Sequence, residues 1–137
     1  MLMPAPDEAT VARRGDIAAD LRRIMPAAAV IEGETGRRAY ESDGLTAYRT
    51  PPLLAVLPET TAQVAAVLRY CYENRIKVVP RGAGTSLSGG ALPLADGIIL
   101  GMGKFSRIRE IDLANRCVTV EPGVTNLGIS NAVNTAA

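Results

Sequence analysis

Residues 80–93 read Pro-Arg-Gly-Ala-Gly-Thr-Ser-Leu-Ser-Gly-Gly-Ala-Leu-Pro and follow directly on the apolar stretch Lys77-Val-Val. Glycine lacks a Cβ, so such a backbone turns tightly, reaches positive φ and lets another molecule come close. Successive N–H groups in a loop of this kind converge on an anion, typically a phosphate. Ordering the four glycines costs roughly 0.5–1 kcal/mol each relative to alanine, and a connector without a ligand would gain nothing from so many. The segment points to a nucleotide or dinucleotide cofactor held by its phosphates.

Two familiar phosphate patterns fail against the letters. A Walker A loop needs G-x-x-x-x-G-K-[ST]. Gly84 and Gly89 have that separation, but Gly90 and Ala91 stand where Lys and Ser/Thr should be. A Rossmann fingerprint needs G-x-G-x-x-G opening a helix. Gly82 and Gly84 begin it, Leu87 holds the third position, and Ala91 to Gly97 lead into a strand. The remaining arrangement is strand, glycine loop, strand, with phosphates held by loop N–H groups and the Thr85 and Ser86 hydroxyls. Arg81 either pairs with a phosphate oxygen or makes a surface salt bridge.

The rest of the chain supplies a scaffold. Ile17, Leu21, Ile24 and Met25 share one face of a 3.6-residue period and predict a helix over Asp16–Met25. Gly15 weakens its backward extension and Pro26 ends it. Residues 32–52 read as a connecting arm with little regular structure, in which Asp43 suits an Asx turn. Leu53–Leu57 is a buried strand bounded by prolines. Thr60 N-caps the next helix, with Gln63 completing a capping box. Val64, Val67, Leu68 and Cys71 form its apolar stripe, and Asn74 near its end tolerates a left-handed conformation. Lys77–Pro80 returns as a second strand, so residues 53–80 make a β-α-β unit with parallel strands. Gly97–Leu100 is a third strand. Phe105–Ile111 and Arg116–Val120 can pair as a hairpin. Glu121-Pro-Gly123 breaks that hairpin, and Thr125 caps a last helix. We divide the chain into residues 1–52, a helix and arm, and 53–137, the domain carrying the loop.

Several function classes drop out. A length of 137 residues suits one domain. A net charge of +1 with no sustained basic excess argues against nucleic acid. The absence of histidine removes imidazole acid–base chemistry, histidine metal ligation and a histidine-linked flavin. Cys71 and Cys117 read as free buried thiols, which suits a reducing cytoplasm. The N-terminus lacks the pattern of a secretory signal, and no apolar run approaches the ~20 residues of a membrane span.

Together, Pro58-Glu-Thr-Thr-Ala-Gln-Val64, the loop 80–93 and Val120-Glu-Pro-Gly123 resemble the FAD-binding domain of the vanillyl-alcohol oxidase/PCMH superfamily. Tyr40-Glu-Ser-Asp-Gly-Leu-Thr-Ala-Tyr48 makes the chain similar to the branch of glycolate oxidase subunits and D-2-hydroxy-acid dehydrogenases. The resemblance implies an α+β fold. The chain would be its first α/β subdomain, a mixed sheet with a β-α-β unit and packed helices. It implies non-covalent FAD, with Arg81, Gly82, Ala83, Gly84, Thr85 and Ser86 around the pyrophosphate and Gly89 and Gly90 completing the cradle. Pro80 positions the loop, and Pro122 and Gly123 lie near the dinucleotide.

In that family FAD takes a hydride from the α-carbon of a 2-hydroxy acid such as glycolate and passes the electrons on. A second FAD-type subunit and an iron–sulfur subunit are the implied partners. The implied location is cytoplasmic, with attachment to the inner membrane through those partners. A second FAD subdomain and a substrate cap follow this point in the family, so we expect a fragment whose catalytic residues lie beyond Ala137. The alternatives are a non-catalytic nucleotide- or phosphate-binding module and an inactive fragment.

Overall fold

The computed structural model describes residues 3–136; Met1, Leu2 and Ala137 lie outside the described residues. Helix α1 spans Glu8–Ala12, and its N-cap Asp7 accepts from the Ala9 N–H at 3.1 Å and the Thr10 hydroxyl at 2.7 Å. Helix α2 spans Arg14–Ile24 and so runs through Gly15, starting two residues before the expected Asp16. Glycine inside a helix costs about 1 kcal/mol against alanine. Burial of Ile17, Ala18 and Leu21 on the next turns offsets it.

The expected arm is more regular than its turn formers suggested. It follows directly on a short strand β1, Val30–Ile31, and includes helix α3, Glu34–Arg38. Buried Arg37 accounts for this order. Its guanidinium donates to the Glu32 carbonyl at 2.9 Å and the Pro52 carbonyl at 2.8 Å, closing the arm onto the start of the sheet.

Strands β2 (Leu54–Val56), β3 (Lys77–Arg81) and β4 (Gly97–Gly101) join β1 in one mixed sheet of order β1-β2-β4-β3. β1 runs antiparallel to β2, and β4 lies parallel between β2 and β3. The β-α-β unit is therefore present, but its two strands are not neighbours. β4 is buried along its whole length, as a central strand covered on both faces must be.

Helix α4, Thr61–Glu73, forms the crossover and packs with α2 on the sheet. The Thr60 hydroxyl accepts from the Gln63 N–H at 3.2 Å, while Gln63 Oε1 accepts from the Glu59 N–H at 2.8 Å, one residue before the expected target. Val67 and Cys71 are buried with Ile17, Leu21, Leu54 and Ile98 in one core. Burial pushes the Cys71 thiol up to about 11, so it is an inert core thiol. Leu68 is 44% exposed and leaves the expected stripe. Arg75, not Asn74, takes the left-handed conformation, at φ 55, because Asn74 instead caps the helix by donating to the Tyr70 carbonyl at 2.9 Å. The Tyr70 hydroxyl donates to Asp20 at 3.0 Å, and burial followed by that carboxylate raises its pKa to about 12.

Strands β5 (Ile108–Asp112) and β6 (Cys117–Val120) form the expected antiparallel hairpin, and Cys117, expected to be buried, is exposed because this two-stranded sheet lies outside the main core. β5 starts after Phe105 because Phe105 closes a turn, donating to the Met102 carbonyl at 2.9 Å. Helix α5, Asn126–Ala136, starts after Thr125, whose hydroxyl accepts from the Gly128 N–H at 3.1 Å. Among the described residues no helix is long and apolar enough to cross a membrane.

The contrast between the sheet core and the exposed edge of α4 is measurable. Ile98→Ala should cost about 2–5 kcal/mol in denaturant unfolding, the range for deleting buried methyl groups. Leu68→Ala should cost only about 0.5 kcal/mol, as at a surface position.

Candidate functional site

The last sheet bond of β3 is made when the Met102 N–H donates to the Arg81 carbonyl at 2.8 Å. Residues 82–96 then carry the chain back to the start of β4. The glycine loop thus sits at the carboxyl end of parallel strands, where open α/β sheets bind ligands. Gly84 at φ 71 and Gly89 at φ 77 take backbone conformations that other residues avoid. Gly82 and Gly90 do not. An added Cβ would find its nearest atoms at 3.8 Å and 3.7 Å, ordinary contacts. The fold itself therefore needs two of the four glycines, which corrects the expectation that a plain connector would gain nothing from them. The other two leave open backbone that the chain's own packing does not demand.

The loop's N–H groups divide in the same way. The Leu92 N–H donates to the Gly89 carbonyl at 3.3 Å and the Ala91 N–H to Asp43 Oδ2 at 3.3 Å. The amides of Gly82, Ala83, Gly84, Thr85, Ser86 and Leu87 donate to no described residue. Gly82, Ala83, Thr85 and Leu87 are exposed. A run of unpartnered amides, most of them on exposed residues, is chemistry suited to a diphosphate. Ser86 is partly used already: its Oγ accepts from the Ser88 N–H at 3.4 Å and keeps its own proton to donate. The exposed Thr85 stands beside it. Pro80, paired with Leu100, is the penultimate residue of the edge strand β3, one residue before Arg81 ends it.

Arg81 uses one nitrogen of its guanidinium within the chain. Its Nη1 donates to the Ser42 carbonyl at 2.7 Å and the Tyr40 carbonyl at 3.3 Å, and its guanidinium lies 5.6 Å from the Tyr40 ring centroid. It ties the arm to the loop from behind. Buried Asp43 does the same at the loop's far side. Oδ1 accepts from the Leu45 N–H at 2.9 Å, the expected Asx turn, while Oδ2 takes the Ala91 N–H. Between them Gly44 lies so close that a Cβ would sit 2.8 Å from the Ser86 carbonyl oxygen and 2.9 Å from that of Thr85. Tyr40, Ser42 and Gly44 were absent from the site read in the sequence. The Asp-Gly turn signal marked the bend but not its partner.

Asp96 anchors the end of the loop, accepting from Lys77 Nζ at 2.7 Å and the Asp7 N–H at 2.8 Å. Burial pushes its carboxyl up, but Lys77 and the Asp7 amide outweigh this and hold it below its ordinary value. Val79, Leu45, Tyr48, Leu92 and Gly89 line an apolar cleft of about 420 Å³ against the loop's second half.

Pro122 comes to the opposite rim, its carbonyl being the group nearest a Cβ at Gly82. Gly123 is packed inward: its N–H donates to the Phe105 carbonyl at 2.8 Å, and a Cβ there would lie 2.7 Å from that oxygen. Its glycine serves the turn rather than a ligand. The turn hangs on Glu121, which is 6% exposed and accepts from Arg107 Nε at 3.0 Å, the Arg107 N–H at 2.9 Å and Arg109. The Arg107 side chain, then its backbone amide, then Arg109 hold the Glu121 carboxyl at about 2 against an ordinary 4.5. Among the described residues no cluster of acidic and cysteine side chains could hold a metal ion.

Two outcomes follow. Gly84→Ala should lose about 1–2 kcal/mol from the left-handed backbone, and more from collision with the Arg81 guanidinium. Gly82→Ala should stay within about 0.5 kcal/mol of the unsubstituted protein. For Glu121 the depressed folded value means that its contribution is full above pH 4.5 and is lost as pH falls toward 2. Glu121→Gln should melt lower than the unsubstituted protein at pH 7, and the gap should close over that acid window.

Residues 52–136 match the family described as an FAD binding domain. Glycolate oxidase subunit GlcD of Escherichia coli K12 is 50% identical over 113 residues, 82% of this chain and 23% of that protein. A probable mitochondrial D-2-hydroxyglutarate dehydrogenase of Oryza sativa subsp. indica is 31% identical over 112 residues, 82% of this chain and 20% of that protein. The chain thus spans less than a quarter of the length of these curated relatives. The solved structure of 4-ethylphenol oxidase from Gulosibacter chungangensis superposes with a TM-score of 0.81 over 99% of this chain and 26% of that one. At 20% identity that likeness is one of fold.

Proposed function

This chain belongs to the FAD-binding domain family, and from that premise we propose that residues 82–90 hold the diphosphate of FAD in a flavoprotein oxidoreductase acting on a 2-hydroxy acid such as glycolate. The observation that carries the reading is the run of unpartnered amides from Gly82 to Leu87. Gly82 and Gly90 keep the backbone open on either side of it. Gly82, Ala83, Gly84, Thr85 and Ser86 form the cradle, with Gly89 and Gly90 at its far lip and the Pro122 carbonyl at its near rim. Pro80 and Arg81 position the cradle, and Gly123 shapes the rim without touching the ligand. Residues 53–137 form the unit that holds the cofactor, with 1–52 as its helix and arm.

Bound FAD supplies a two-electron acceptor for the hydride of the hydroxy acid. This chain's own contribution is to bind and orient. Backbone dipoles meet the diphosphate charge, and the guanidinium of Arg81 adds positive charge behind the loop. The 2-hydroxy acid class is supported by two relatives whose names give glycolate and D-2-hydroxyglutarate as substrates. The first of those relatives is named as a subunit, which supports assembly with partners, a second FAD-type subunit and an iron–sulfur subunit in our reading. We place the protein in the cytoplasm, with any attachment to the inner membrane made through those partners.

The full chain as its gene encodes it should purify yellow, with a flavin absorption band. Gly82→Val should lose at least about 90% of that flavin, a tenfold or greater loss of affinity, and still unfold at the temperature of the unsubstituted apoprotein. Full flavin content in Gly82→Val would refute the cradle. A colourless protein stabilised by ADP but not by FAD would favour a non-catalytic nucleotide module instead.

A further inference from the structure

We infer that residues 40–45 form a positioning clamp that sets the shape of the glycine loop before FAD arrives; the inference rests on the assignment of that loop to the FAD diphosphate. The arm grips the loop at its beginning, middle and end. At the beginning, Arg81 turns its guanidinium back under Gly84 and donates to the carbonyls of Ser42 and Tyr40. In the middle, Gly44 lies against the Thr85 and Ser86 carbonyls at a distance that admits no side chain. At the end, Asp43 takes the Ala91 N–H with the oxygen its own turn leaves free.

All three contacts fall on the inner side of the loop or on its carbonyls, and none uses an amide between Gly82 and Leu87. The clamp and the ligand therefore draw on different groups. A loop containing two left-handed glycines has many competing shapes. Ordering it costs conformational entropy, which otherwise falls on the binding step. With the arm in place the competent shape is already populated, so the apparent affinity approaches the intrinsic one. Arg81 acts in this clamp as a positioning residue: its Nη1 is committed to the Ser42 and Tyr40 carbonyls.

The test is FAD association with the apoprotein of the full chain, followed by stopped-flow flavin fluorescence, with the apoprotein melting temperature measured alongside. Gly44→Ala wedges the arm from the loop without changing charge or touching the unpartnered amides. Asp43→Asn keeps one acceptor and loses the other. Arg81→Lys keeps the charge but not the two-carbonyl reach. Each variant should associate with FAD about fivefold to tenfold more slowly, with a dissociation rate within about twofold, because the competent population falls while the ligand contacts remain. If Gly44→Ala does not fold, Asp43→Asn carries the same comparison.

Association at the unsubstituted rate in Gly44→Ala and Asp43→Asn overturns the clamp, as does a loss confined to the melting temperature. Arg81→Lys binding like the unsubstituted protein would return Arg81 to direct phosphate pairing. Failure of the unsubstituted protein to bind FAD overturns the cofactor assignment first and the clamp with it, so the two failures are distinguishable.

Discussion

Two parallel neighbouring strands joined without a helix are the constraint on which this fold depends. Parallel neighbours need a long crossover, and a helix is its usual form because a helix satisfies its own backbone. Between β3 and β4 the chain instead spends fifteen residues, 82–96, in open loop. Backbone donors outside regular structure must find partners elsewhere. In this loop the Ala91 N–H finds its partner in the arm at Asp43, and at its end the Asp96 carboxylate accepts from Lys77 Nζ and the Asp7 N–H. The amides of residues 82–87 donate to no described residue.

The N-terminal third of the chain has its structural purpose in that need. Helix α2 shares the core with α4 and the sheet. Arg37 fastens the arm to the Pro52 carbonyl, and the arm then reaches the loop at Arg81, Gly44 and Asp43. On the other side Arg107 and Arg109 converge on Glu121 and present the Pro122 carbonyl beside Gly82. A rigid frame thus surrounds a short stretch of free amides. On the proposed assignment, anion binding depends on where the backbone is held, and the hydroxyls of Thr85 and Ser86 add to it without supplying the shape.

Much of this was legible in the letters because it is local. The α4 cap, its Val67 and Cys71 burial, the β5–β6 hairpin and the cap at Thr125 all rest on contacts a few residues apart. The order of the sheet was not legible. Nothing in Lys77–Pro80 or Gly97–Leu100 tells which strand takes the centre until long-range pairing decides it. Helix α2 was read short because the helix penalty of Gly15 is local while the burial that overrides it is tertiary. Within the glycine loop the sequence did not separate residues that serve the chain's own conformation from those left open. Two of its glycines answer to backbone angles, and Arg81 answers to carbonyls some forty residues away. A carbonyl acceptor carries no side-chain identity, so no sequence pattern could have announced that contact.

The central claim is that the amides of residues 82–87 are the groups that meet the cofactor. Amide hydrogen exchange across the full chain, with and without saturating FAD, tests it most directly. The account predicts rapid exchange at residues 82–87 in the apoprotein and at least about tenfold slowing on binding, while buried Leu54–Val56 changes little. FAD bound in stoichiometric amount with exchange at 82–87 unchanged would contradict it.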